Sequence, residues 1–210
     1  MNRTFVFGFS SLVFVLAMLG CATPDSGGGG WVTLLDGSNP KTLENWNRSG
    51  GDANWRFVDG ALQADKGAEK ATSHLVSKNS YKDFQIRAEF WADHTTNSGI
   101  FIRIQNPKEI GSKNSYEVNI YDQRPGPEYG TGAIVNFAKV DPMPKAGGRW
   151  NTFLITAKGT NLIVEMNGKQ TVNINDGSFP SGPFSLQFGN RGKDGPGGAI
   201  KWRKVEVRPL

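Results

Sequence analysis

Asp83-Phe84-Gln85-Ile86-Arg87-Ala88-Glu89-Phe90-Trp91 alternates without a slip. Phe84, Ile86, Ala88 and Phe90 fall on one side, and Gln85, Arg87, Glu89 and Trp91 on the other. Successive side chains of an extended chain point to opposite faces, so this stretch predicts a strand with one buried face. The same period of two recurs on both sides of it. Trp55-Arg56-Phe57-Val58 meets Ala61-Leu62-Gln63-Ala64 across Asp59-Gly60, a strong hairpin signal. Ser98 to Gln105 sets Ile100, Ile102 and Ile104 against Phe101, Arg103 and Gln105. Tyr116 to Tyr121 sets Tyr116, Val118 and Ile120 against Glu117, Asn119 and Tyr121. Further strands are predicted over 152–157, 162–166, 170–174, 184–188 and 200–207, with Asn167-Gly168 turning between the second and third of these. No twelve-residue window carries a helical stripe. The chain therefore predicts an all-β domain, roughly a dozen short strands stacked as two antiparallel sheets in a jelly-roll sandwich.

Composition agrees. The 27 glycines and 11 prolines among 210 residues exceed the usual share without a collagen period, which fits a turn-rich chain. Thirteen Phe and six Trp argue against disorder. The net charge of +5 comes from scattered Lys and Arg rather than a basic run or helical face, so nucleic acid is not an expected partner. A single cysteine excludes an internal disulfide and a Cys-based zinc site within one chain. The two histidines, His74 and His94, lack metal-ligand spacing and read as surface or turn residues; no metal ligand set is assigned and the cofactor is left open. Neither a Gly-x-Ser-x-Gly elbow nor a phosphate loop occurs.

The N-terminus reads as an address. Met1-Asn2-Arg3 is short and cationic, and Phe5 to Leu19 is too short to span a bilayer but has the size of a signal-peptide core. Met18-Leu19-Gly20-Cys21 resembles a lipobox, with Cys21 as the residue to be lipidated. Residues 1–20 are then a signal peptide, 21–30 a lipidated Gly-rich tether and 31–210 the folded domain. This predicts a bacterial cell-envelope lipoprotein held to the membrane through Cys21; plain secretion is the alternative.

Chemistry concentrates on the second face of the central strands. If the strands around 98–105 and 115–122 pair, Arg103, Glu117, Asn119 and Tyr121 form one compact polar set. Gln187 shares its face with Ser185. Amides, charges and rings together suit a sugar. An ordinary solvent face with cross-strand ion pairs would show the same alternation.

Seven strings in order are similar to the 3-keto-disaccharide hydrolase family. They are Leu34-Leu35-Asp36-Gly37-Ser38; Trp55 to Leu62; Tyr81 to Phe90 with Asn97 to Arg103; Tyr116-Glu117-Val118-Asn119-Ile120-Tyr121-Asp122; Gly148-Arg149-Trp150-Asn151-Thr152; Asn167-Gly168-Lys169; and Gly182 to Gln187 with Trp202 to Val207. The resemblance implies a concanavalin A-like sandwich with its site on the concave sheet. It also implies cleavage of 3-keto-glycosides by loss of the C2 proton, elimination and hydration. Carried over, it implies Glu117 as base and Arg103 as oxyanion holder. Asn119, Tyr121, Gln187 and Asp122 would then contact the substrate. The sequence departs from the family after Gln187, where Phe188 stands in place of a frequent histidine, and at Gly132-Ala133-Ile134-Val135, which lacks a tyrosine. The glycine cluster at 192–198 marks the same region as different. Two classes remain open from sequence: an enzyme acting on 3-keto-glycosides, and a non-catalytic carbohydrate-binding lipoprotein on the same scaffold.

Overall fold

A computed structural model describes Met1 and residues 30–67, 71–189 and 197–210. Cys21, the signal segment, most of the tether and most of the 192–198 glycine cluster lie outside the described residues.

Alternation translates directly into thirteen strands among the described residues. One sheet has eight: β1 (Val32–Asp36), β3 (Asn54–Val58), β4 (Ala61–Asp65), β6 (Phe84–Ala92), β9 (Trp150–Lys158), β10 (Asn161–Met166), β11 (Lys169–Asn175) and β13 (Ile200–Pro209). The other has five: β2 (Trp46–Gly50), β5 (Ser73–Ser77), β7 (Asn97–Ile102), β8 (Tyr116–Ile120) and β12 (Ser185–Gly189). Every strand pairing is antiparallel. The larger sheet runs β11-β10-β9-β6-β13-β4-β3, and the smaller runs β2-β5-β12-β7-β8. β13 organises the larger sheet. One of its edges carries β6, and the other carries β4 along Ile200–Trp202 and β1 further on. The Asp59-Gly60 hairpin forms as expected, with both turn residues at positive φ (50° and 71°).

The inward faces make one core between the sheets. Phe84, Ile86, Ala88 and Phe90 from β6 meet Ile100, Ile102, Tyr116, Val118 and Leu186 from the smaller sheet. Phe90 lies 4.9 Å from the Phe153 ring and 5.9 Å from Trp202. Each such buried aromatic contributes roughly 1.5–3 kcal/mol by leaving water.

One departure from this pattern matters for the site. β7 ends at Ile102, and Arg103 takes a left-handed backbone (φ 53°) that breaks the alternation. Its guanidinium turns away from the polar face and is 1% exposed. It donates to the carbonyls of Lys82 (3.0 and 2.6 Å), Gly159 (2.8 Å) and Phe179 (3.3 Å). Ile104 lands instead with Phe101 and Val76 in a small apolar cluster on the outer face. A shift of one residue changes the side a strand residue occupies, and here it removes Arg103 from its expected place.

Candidate functional site

The site is built on the outer face of the five-stranded sheet. Register places Ser49, His74, Gln187, Gly99 and Asn119 side by side on five adjacent strands. The next row is Asn47, Val76, Ser185, Phe101 and Glu117. Interstrand spacing puts His74 about 14 Å from Asn119.

At the β8 side, residues 132–135 run along the strand's open edge. The Asn119 N–H donates to the Ala133 carbonyl (3.0 Å), and the Gly132 and Val135 N–H groups donate to the carbonyls of Asn119 and Glu117 (2.9 and 3.0 Å). This satisfies the edge and extends the sheet along one side of the polar face, the candidate groove. Residues 121–130 fold above it, ending in a short 3-10 turn (Pro127–Tyr129) whose Tyr129 carbonyl accepts the Asn119 side-chain N–H (2.8 Å). With its amide nitrogen engaged there, the fully buried Asn119 leaves Oδ1 without a partner. Gln187, 8% exposed, likewise has an unpartnered Oε1. Between these two lies Gly99, where a Cβ would stand 2.9 Å from the Val118 carbonyl and 3.6 Å from Glu117 Cγ. A residue without a side chain thus separates two amides with free acceptors. Buried carbonyls without donors are uncommon, so these two acceptors mark this face as a candidate site.

Glu117 sits across from Phe101 and accepts no hydrogen bond from the described residues. Burial pushes its carboxyl up to about 7, partly offset by the charge of Arg124 in the 121–130 loop. Arg124, rather than Arg103, is therefore the guanidinium whose charge reaches Glu117. His74 is buried within β5, not at a surface or turn as the sequence suggested. Its Nδ1 lies 3.1 Å from Ser185 Oγ, and its ring meets Phe101 edge-on at 5.2 Å. Desolvation lowers it to about 4, so the imidazole is neutral at ordinary pH. When the Ser185 hydroxyl donates to Nδ1, Nε2 carries the proton. His94 stays in its exposed turn, packed on Gly147 and Gly148.

Tyr121 continues the Glu117–Asn119 alternation one step beyond β8. Asp122, expected at the substrate, is committed to the protein. It accepts from the Ala146 N–H (3.0 Å), the Gly147 N–H (2.9 Å) and the Thr131 hydroxyl (2.7 Å), and so fastens residues 145–147 to the groove wall. Of the expected set, the structure brings together Glu117, Asn119 and Gln187. It adds His74, Ser185 and Arg124, and it withdraws Arg103 and Asp122. Among the described residues no three His, Cys, Asp or Glu side chains are grouped to hold a metal ion.

A family model described as the 3-keto-alpha-glucoside-1,2-lyase-like domain matches residues 30–208. The chain belongs to this family. No curated protein matches its sequence. Among solved structures, a Parabacteroides distasonis protein assigned provisionally to the glycosyl hydrolases is 25% identical with a TM-score of 0.67, covering 87% of this chain and 100% of its own. A Bacillus subtilis protein of unknown function with a galectin-like fold has a TM-score of 0.62 at 11% identity, over 86% of this chain and 94% of its own. Lectin I-B4 of Griffonia simplicifolia reaches 0.57 at 11% identity, over 87% and 100%. The 3-keto-alpha-glucoside-1,2-lyase-like domain here thus has a lectin-like jelly-roll fold. Its polar row occupies the outer face of the smaller sheet.

Proposed function

We propose that this chain cleaves glycosides oxidised to a ketone at C3 of the sugar. The observation that carries the reading is the desolvated Glu117 carboxylate beside two unpartnered amide carbonyls on one groove face. A C3 ketone acidifies the C2 hydrogen. Glu117 takes that proton, an enolate forms, and the C1–O bond breaks as the C1–C2 double bond forms. The leaving oxygen takes a proton, which this reading assigns to Tyr121. Water then adds hydroxyl to C1 and a proton to C2, so the net change is hydrolysis. Arg124 balances the enolate charge, and neutral His74 donates to a substrate oxygen. Asn119 Oδ1 and Gln187 Oε1 accept from ring hydroxyls, and Phe101 floors the apolar side.

Glu117→Gln keeps the shape and removes the base. Turnover of a 3-keto-glucoside should fall by about a thousandfold while the far-UV spectrum is unchanged. Undiminished turnover would overturn the assignment. A second reading, a carbohydrate-binding protein without catalysis, is favoured by one observation: Arg103 is held out of the groove by backbone carbonyls. Under it, unoxidised glycans bind and 3-keto-glucosides persist. We also propose that the mature chain is anchored in the cell envelope through lipidated Cys21, on the strength of the lipobox-like string and the tether that follows.

A further inference from the structure

A cavity of roughly 680 Å3 opens beside the groove and shares Asn47, Ser49 and Val76 with its two rows. Its walls are β2 at Asn47–Ser49, the end of β5 at Val76 and Ser77 with Lys78 and Ser80 beyond it, residues 104–108 and residues 181–183. These walls are fastened to one another. The Ser49 hydroxyl donates to the Pro107 carbonyl (2.7 Å), and the Gln105 amide donates to the carbonyls of Ser181 (2.7 Å) and Arg103 (2.8 Å). The buried Arg103 guanidinium fixes the turn from which this rim departs. The loop does not need to order when a ligand arrives, so little conformational entropy is lost there.

The lining is one-sided in charge. Arg48, Lys78 and Lys108 all border the cavity, and no Asp or Glu is among its lining residues. All three cations are exposed, and no ion pair joins them to an acid among the described residues. Around them stand the hydroxyl-bearing residues Ser77, Ser80 and Ser181. Charges of one sign around a concave, low-dielectric wall focus their field into the cavity and favour a counter-charge there. An arginine fork pairs with two oxygens of one group, and two lysines add point charges. Val76 lies about 14 Å, three interstrand steps, from Glu117. A short oligosaccharide spans that distance.

We propose that this cavity is a second subsite of the groove, and that it takes an oxyanion carried by the part of the glycoside remote from the cleaved bond. The proposal rests on the groove being a glycoside site. It adds the substrate class: an acidic saccharide, whose charge is a uronate carboxylate or a sulfate ester.

The full-length protein is titrated calorimetrically with three disaccharides of one linkage: neutral, uronate-containing and sulfated. At low salt at least one acidic ligand should bind about tenfold more tightly than the neutral one, and the better of the two identifies the anion. The preference should shrink as salt is raised, and it should vanish in an Arg48→Ala/Lys78→Ala/Lys108→Ala variant. These side chains are exposed, so loss of fold does not confuse the result, and an unchanged melting temperature checks this. Equal affinities, a preference that survives in the triple variant, or no binding of any ligand overturns the subsite. The reaction is tested apart, by turnover of a neutral 3-keto-glucoside. Turnover without an acidic preference removes only the subsite, and an Arg48-dependent preference without turnover removes only the reaction.

Discussion

Glu117 and His74 share a groove and are shifted in opposite directions by the same cause, loss of water. The kinetic consequence falls on Glu117, which must be ionised to act as base. kcat/KM for a 3-keto-glucoside should therefore rise with pH and level off above about 7, a limb visible in a pH–rate profile. Stability follows with its own sign. Because the folded pKa of Glu117 lies above the usual 4.5, the favourable protonated state is complete below pH 4.5 and is lost as pH rises through 7. Glu117→Gln should thus be about 1–3 kcal/mol more stable than the parent chain at pH 8 and indistinguishable from it at pH 4, by denaturant titration. His74 runs the other way. Its contribution is present above pH 6.5 and is lost as pH falls through 4, so His74→Gln should flatten that acid-side decline.

At the level of elements, the end of β7 separates two arginines with different tasks. Arg103 supplies donors to three backbone carbonyls from three separate connecting segments, at Lys82, Gly159 and Phe179. Arg103→Ala strands those acceptors and should lower the melting temperature by roughly 10 °C, with the folded fraction keeping its kcat. Arg124→Ala touches none of these bonds and should do the reverse, lowering kcat with little change in melting. A melting scan alongside single-turnover kinetics separates the two. The same strand end explains what was legible in the sequence. Alternation predicted β6, β8, the Asp59-Gly60 hairpin and the shared face of Glu117 and Asn119, because strict period-two strings have one way to bury their apolar side; that Gln187 joins this face shows only in the pairing of β12 with β7. It misplaced Arg103 because a non-glycine residue at positive φ leaves no mark in the sequence. His74 was missed because Ser73-His74-Leu75-Val76-Ser77 shows its polar partners only once β5 lies beside β12. Arg124 stands in an irregular loop with no period to read.

Considered whole, the molecule has two unlike outer faces. The smaller sheet presents the groove. The larger sheet presents Arg87, Glu206 and Arg208, with Arg87 paired to the nearly buried Glu206. Trp31, just before β1, lies on this second face between Arg87 (4.5 Å) and Arg208 (4.9 Å). Such stacking of guanidinium groups on indole contributes about 0.5–1 kcal/mol where exposed. If Cys21 is the anchor, Cys21→Ser should move the protein from the membrane fraction to the soluble fraction without altering its melting temperature, by fractionation and calorimetry.

The seat of Trp31 then sets an orientation. Ten residues, 21–30, span at most about 36 Å when fully extended, and Trp31, which follows them, lies on the side opposite the smaller sheet's outer face. If Cys21 is the anchor, a copy drawn to the membrane by this end would turn its larger-sheet face to the lipid and its smaller-sheet face outward. Under that reading a glycan arriving from outside would meet the Glu117 face first, without passing between protein and bilayer.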